Sequence, residues 1–179
     1  VLWEDTGRYG GSSVGPNISD VTLQVRENLE GDAFRTHLLP VLRAPNFSDK
    51  TADIAADKLW VKVGNQTPGA HGAHIHMTGD CTPPGFTTAG GHWNPTGTHH
   101  GLSNPQGPHK GDLPNLDVGS DGQGTLSFSV PGASIEGGAN ALLDADGAAF
   151  VIHGGPDDMM SDPAGNSGPR VACGVFVKK

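Results

Sequence analysis

Between His74 and Asp112 the chain reads HIHMTGDCTPPGFTTAGGHWNPTGTHHGLSNPQGPHKGD, and this stretch holds six of the nine histidines, one of the two cysteines and a closing aspartate. Proline lacks an N–H and fixes φ, and Gly or Pro recurs every few residues, so past His74-Ile75-His76 neither a regular helix nor a regular strand can form. The segment is therefore a long loop. Something other than a backbone ladder must hold a loop of this length, and imidazoles with a carboxylate at close spacing are ligands for metal ions. It reads as a metal-clamped loop that also carries the chemistry.

The rest of the chain reads as its scaffold. At 179 residues it fits one domain spanning 1–179, long enough to bury a core. Twenty-eight glycines and 14 prolines, with no sustained apolar period near 3.6, indicate an all-β protein with long loops. Strands are expected at Val21–Val25, Leu59–Val63, Gly72–His76, Gly124–Val130, Ala148–His153 and Val171–Val177, with an edge strand at Phe34–Leu42 because of Pro40. Residues 1–20 read as a loose start or a first strand with a turn, and 43–56 as a turn or short helix. A second irregular segment, Gly154–Pro169, carries Asp157, Asp158 and Asp162. Short strands separated by turn signals suggest a Greek-key sandwich or barrel.

A net charge of -8, from 11 basic and 19 acidic residues, argues against nucleic acid or an anionic membrane surface as partner, since both need a basic face. No apolar run is long enough to span a membrane. The first residues lack a charged-then-apolar leader pattern, so any export signal is expected to have been removed. Cys81 and Cys173 make one possible disulfide, which an exported protein would form.

Alternate residues of a strand share a face, so His74 and His76 present two imidazoles side by side while Ile75 turns into the core. Downstream, His92, His100, His109 and Asp112 follow at spacings of eight, nine and three, and three nitrogens with one oxygen complete a tetrahedral zinc set. Spacing alone does not separate His100 from the adjacent His99. His37 reads as a surface or core histidine, and His71, between Ala70 and Gly72, as a supporting one.

Four motifs occur together: Gly72-Ala-His-Ile-His76, Gly90-Gly-His-Trp-Asn-Pro95, His109-Lys-Gly-Asp112 and Gly165-Asn-Ser-Gly-Pro-Arg-Val-Ala-Cys-Gly174. In these the chain resembles the copper,zinc superoxide dismutases over residues 58–179, most closely their bacterial exported branch. The resemblance implies an eight-stranded Greek-key β-barrel, dismutation of superoxide, and export, in bacteria to the periplasm. It implies one copper on His74, His76, His92 and His153, and one zinc on His92, His100, His109 and Asp112. His92 is then shared, and His100 is selected over His99. Further implied are Asp157 bonding His74 and His100, His71 in the same supporting shell, and Arg170 beside the open copper position, with His92 and Arg170 the catalytic pair. The disulfide Cys81–Cys173 follows from the same likeness. Bacterial members differ in oligomeric state, so a homodimer stands beside a monomer. The family's usual lysine in the second loop is missing, which leaves Arg170, with Lys110, to guide the anion. A zinc hydrolase would need a Glu near the histidines, and none is there. A copper or zinc carrier would share the histidines without needing Arg170.

Overall fold

The computed structural model describes residues 2–4, 22–26, 58–64 and 66–177. Nine strand segments lie among them: β1 (Leu2–Glu4), β2 (Thr22–Arg26), β3 (Lys58–Val63), β4 (Gly69–His71), β5 (Ala73–His76), β6 (Leu116–Val118), β7 (Gly124–Phe128), β8 (Ala149–His153) and β9 (Arg170–Val177). They form two antiparallel sheets, ordered β1-β9-β8-β5 and β2-β3-β7-β6-β4. The all-β Greek-key expectation holds. Expected strands at Phe34–Leu42, the possible helix at 43–56 and His37 lie outside the described residues. No helix among the described residues is long and apolar enough to cross a membrane.

The strand starting at Gly72 is corrected in one respect: the extended run from Gly69 to His76 breaks there and changes sheet, so β4 and β5 count as one element in two layers. Gly72 donates to the Gly155 carbonyl at 2.8 Å and accepts from the His153 N–H at 2.9 Å. A side chain at that crossing would sit 2.7 Å from the Ser167 Cβ, too close for any residue but glycine. The sequence reading had no strand at β4 or at β6, whose three residues each are too few to show a period.

β7 has the simplest pattern, with Gly124, Leu126 and Phe128 buried and Thr125 and Ser127 exposed, as period-two alternation requires of a sheet with one wet face. β8 is buried at every residue, because both of its faces are covered. Phe150 and Ile152 enter the main core with Val61, Ile75, Leu116 and Phe176. Ala149 and Val151 enter a smaller cluster with Ala89 and Cys173, against which Cys81 and Phe86 pack. The Cys81–Cys173 disulfide fastens that cover across 92 residues of sequence. A loop of that size is worth roughly 4 to 5 kcal/mol in the chain-entropy model.

The metal-loop histidines are delivered by the edge of β5. The Ile75 N–H donates to the Gly111 carbonyl and the Trp93 N–H to the Ile75 carbonyl, both at 2.8 Å. Met77 N–H reaches the Gly91 carbonyl at 3.0 Å. These bonds pair His76 with His92 and His74 with Asp112 across isolated bridges. Apart from one 3-10 turn at Thr87–Ala89 the loop has no regular structure of its own; β5 supplies its template.

Candidate metal centre

The arrangement follows from which ring nitrogen of each histidine is already used. His76 Nδ1 donates to the Gly90 carbonyl at 2.9 Å and His153 Nδ1 to the Gly168 carbonyl at 3.0 Å. A carbonyl can only accept, so each of these rings carries its proton on Nδ1 and turns a lone pair inward at Nε2. His74 is engaged the other way round, its Nε2 donating to Asp157 Oδ2 at 2.7 Å. Four side-chain nitrogens are buried with no hydrogen-bond partner: His74 Nδ1, His76 Nε2, His92 Nε2 and His153 Nε2. Their four residues place ligand atoms within 4.8 Å of one another. Orphaned buried acceptors are costly, and four converging on one point fit a cation.

His92 lies between this group and a second one. Its ring centroid is 3.9 Å from His74, 5.0 Å from His76, 5.1 Å from His100 and 5.4 Å from His109. Asp112 Oδ1 is 2.8 Å from His92 Nδ1, 3.0 Å from His100 Nδ1 and 3.2 Å from His109 Nδ1. Three ring nitrogens around one carboxylate oxygen also fit a cation. By mutual distance alone His74 joins His92, His100 and Asp112 in place of His109. However, His74 Nε2 is occupied by Asp157 and its Nδ1 belongs with the first group, so His109, whose Nδ1 is also 3.4 Å from His92 Nδ1, is the better fourth donor. His92 offers one nitrogen to each group.

Asp157 ties the groups together, with Oδ2 on His74 and Oδ1 on His100 Nε2 at 3.1 Å. Gly165 has φ +58, and a side chain there would lie 1.7 Å from Asp157 Oδ1. The carboxylate thus depends on a bare backbone beside it. Asn115, which sequence reasoning missed, holds Asp157 at two points: its Oδ1 accepts from the Asp157 N–H at 2.8 Å and its Nδ2 donates to the Asp157 carbonyl at 2.9 Å. An isolated Asn after a proline gives no chemical signal in sequence.

His99 and His100 have separated. His100 is buried in the second group, whereas His99 is exposed and pairs with Asp162. His71 supports main chain and not a ring, with Nδ1 on the His153 carbonyl at 2.7 Å and Nε2 on the Thr67 carbonyl at 2.8 Å. Arg170 opens β9, its Nη1 and Nη2 donating to the Phe86 and Gly90 carbonyls at 2.6 Å each. It lines a cleft of about 270 Å³ together with His76, His92, Asn94, His153 and the uncharged Pro163 and Ala164. Lys110 is not part of that lining: its Nζ donates to the Pro131 carbonyl at 2.5 Å.

Electrostatics separate the two groups as well. Burial pushes the pKa of His74 down to about 4 and of His76 to about 2, and also lowers His92 and His153. Burial alone would lower His100 too, but its bonds to Asp112 and Asp157 outweigh it and raise that pKa to about 9. Both carboxylates are held below their ordinary range: burial opposes this, and the bonds to His100, with His92 for Asp112 and His74 for Asp157, prevail.

A stability prediction for the metal-free protein follows. Below the ordinary pKa of 6.5 the unfolded chain protonates His74 and His76 while the folded one does not, so stability falls as pH drops from 6.5 towards 4. Each such proton costs about 1.4 kcal/mol per pH unit. His100 acts oppositely: its raised pKa gives stability that is complete below 6.5 and is lost as pH rises through about 9. Thermal midpoints of the metal-free protein should therefore peak near pH 6.5, and a midpoint that goes on rising as the pH is lowered to 5 would contradict the neutral, buried state of His74 and His76.

The family model for copper/zinc superoxide dismutase (SODC) matches residues 46–176. The superoxide dismutase-like protein YojM of Bacillus subtilis is 40% identical over 155 residues, covering 83% of this chain and 79% of that protein. The Cu-Zn superoxide dismutase of Caulobacter vibrioides is 48% identical over 121 residues, covering 66% of this chain and 70% of its own. A crystal structure of a proline-to-histidine mutant of a SOD-like protein from Bacillus subtilis superposes with a TM-score of 0.70 at 32% identity, over 90% of this chain and 92% of that one. The chain belongs to the copper/zinc superoxide dismutase family, whose enzymes dismute superoxide with copper and zinc.

Proposed function

We propose that this chain is a catalytically competent superoxide dismutase, with copper held by His74, His76, His92 and His153 and zinc by His92, His100, His109 and Asp112. The observation that carries this is the set of four buried, unpartnered nitrogens beside the three Nδ1 atoms gathered on Asp112. Bound there, copper supplies a one-electron couple between Cu(II) and Cu(I), and zinc a redox-inert positive charge.

The chain's own residues then do the following. Arg170, held by two carbonyls at the cleft, attracts and orients superoxide through its planar fork. The Gly90 and Gly168 carbonyls keep His76 and His153 in the tautomer with Nε2 free. Asp157 takes Nε2 of both His74 and His100, which leaves Nδ1 of His74 to face the first group and Nδ1 of His100 the second, and so joins the geometry of the two sites. His92 has no carbonyl partner on either nitrogen, and its Nε2 is the atom placed to take up and release a proton as superoxide is reduced. One superoxide gives up an electron and leaves as dioxygen; a second accepts that electron with two protons and leaves as hydrogen peroxide.

The Cys81–Cys173 bond supports export, to the periplasm in a bacterium, because cytosolic thiols are normally kept reduced. The test is dismutase activity of protein loaded with copper and zinc beside protein loaded with zinc alone. Activity is expected only in the first. Equal inactivity of both, with copper bound, would support the second reading, a metal-binding protein of the dismutase-like kind.

A further inference from the structure

We propose that Phe86 is a positioning residue for Arg170, and that its ring, packed on the disulfide, sets the aim of the guanidinium at the cleft. The inference rests on the copper site proposed above. Phe86 is in the left-handed region, with φ 52 and ψ 29, a conformation that bulky side chains rarely adopt and that persists only where the surroundings impose it. Only two other non-glycine residues among those described share a positive φ, Met159 and Asn166. The consequence of that backbone geometry is the direction of the Phe86 carbonyl. It accepts from Arg170 Nη1 at 2.6 Å and from the Ala89 N–H at 3.3 Å, while the Gly90 carbonyl takes both Arg170 Nη2 and His76 Nδ1.

What holds Phe86 in this state is its side chain. The ring packs with Cys81 against the cluster of Ala89, Ala149, Val151 and Cys173, and its own N–H reaches the Thr82 carbonyl at 3.2 Å. Without the ring only two long main-chain bonds, to Thr82 and from Ala89, oppose relaxation of φ to negative values, which would swing the carbonyl off Nη1. One of the two acceptors of Arg170 would be lost and the fork would turn about the remaining one. Phe86 touches neither metal group, so it acts only through Arg170.

The probe is azide, an anion that binds copper proteins and gives a charge-transfer band, titrated into the copper- and zinc-loaded protein. Loss of one charge-assisted bond on Arg170 predicts azide binding weakened about tenfold in Phe86→Ala, with copper content unchanged. Phe86→Leu, which keeps apolar bulk on the disulfide, should restore most of the affinity. In an Arg170→Ala background Phe86→Ala should change azide affinity no further, since residues acting through one another are not additive. If Phe86→Ala does not accumulate as folded protein, Phe86→Val, which is smaller and whose β-branched side chain tolerates positive φ still less, carries the same comparison. Unchanged azide affinity in the single variant, or an equal loss in the Arg170→Ala background, overturns the inference. A parent that binds copper but shows no azide band overturns the proposed function as well, which separates the two failures.

Discussion

His153→Ala is expected to lower dismutase activity more than about a hundredfold, beyond the 10–100-fold that loss of a residue merely supporting a ligand costs, while zinc content stays at the parent level. His153 has its ring in the copper group only: Nε2 is one of the four orphaned atoms, and Nδ1 is spent on the Gly168 carbonyl. The second group keeps His92, His100, His109 and Asp112 intact. The fold should survive with a modest penalty. Its main-chain bonds, its N–H donating to the Gly72 carbonyl and its carbonyl accepting from His71 Nδ1, do not depend on the side chain, and the Gly168 carbonyl that loses its donor belongs to an exposed residue that water can reach, so that loss costs about 1 kcal/mol. Metal analysis and the dismutase rate on the same sample check this. Full activity in the variant would falsify the assignment of His153 to copper.

How much of this was legible in the sequence differs between scaffold and site. Strands with a clean period-two pattern, β7 above all, were placed within two residues because one face is wet and the other dry. β8 could be read despite lacking alternation, since a short β-branched and aromatic run bounded by glycine leaves few alternatives. β4 and β6 were invisible: each is three residues long and exists because a neighbour supplies its ladder, which is a tertiary fact. The histidines were legible because metal ligation demands particular residue types, and spacing gathered most of them. Spacing could not divide His99 from His100, a choice settled in space by burial and by Asp112. Nor could it reveal that main-chain carbonyls of Gly90, Gly168 and Phe86 orient His76, His153 and Arg170, because every residue has a carbonyl and only the folded path aims it. Nor could it show that Lys110, next to His109 in sequence, donates to the Pro131 carbonyl in space.

Asp112→Ala should have the largest effect on stability, and Asp112→Asn separates its causes. Asp112 Oδ1 faces three imidazole nitrogens, and Oδ2 accepts from the Gly101 N–H at 2.8 Å and the His109 N–H at 2.9 Å. Alanine removes the zinc donor and also strands these two main-chain donors, at about 1 to 3 kcal/mol each. For a chain of this size that alone lowers the thermal midpoint by on the order of 10 °C, before the clamp by zinc on the 92–112 loop is counted. Asparagine can turn its amide oxygen to the two N–H groups, so the metal-free fold should lose less than with alanine. It lacks the negative charge and the oxygen that zinc needs, so zinc content should fall in both variants. With zinc gone His92 loses its fixed orientation, and activity at raised pH should fall although copper still binds. Calorimetry and metal analysis of the two variants, with and without zinc, decide the matter. A parent-like zinc content and midpoint in Asp112→Ala would mean that the loop is held by something other than this carboxylate, and equal midpoints for the metal-free alanine and asparagine variants would mean that its two main-chain bonds contribute nothing.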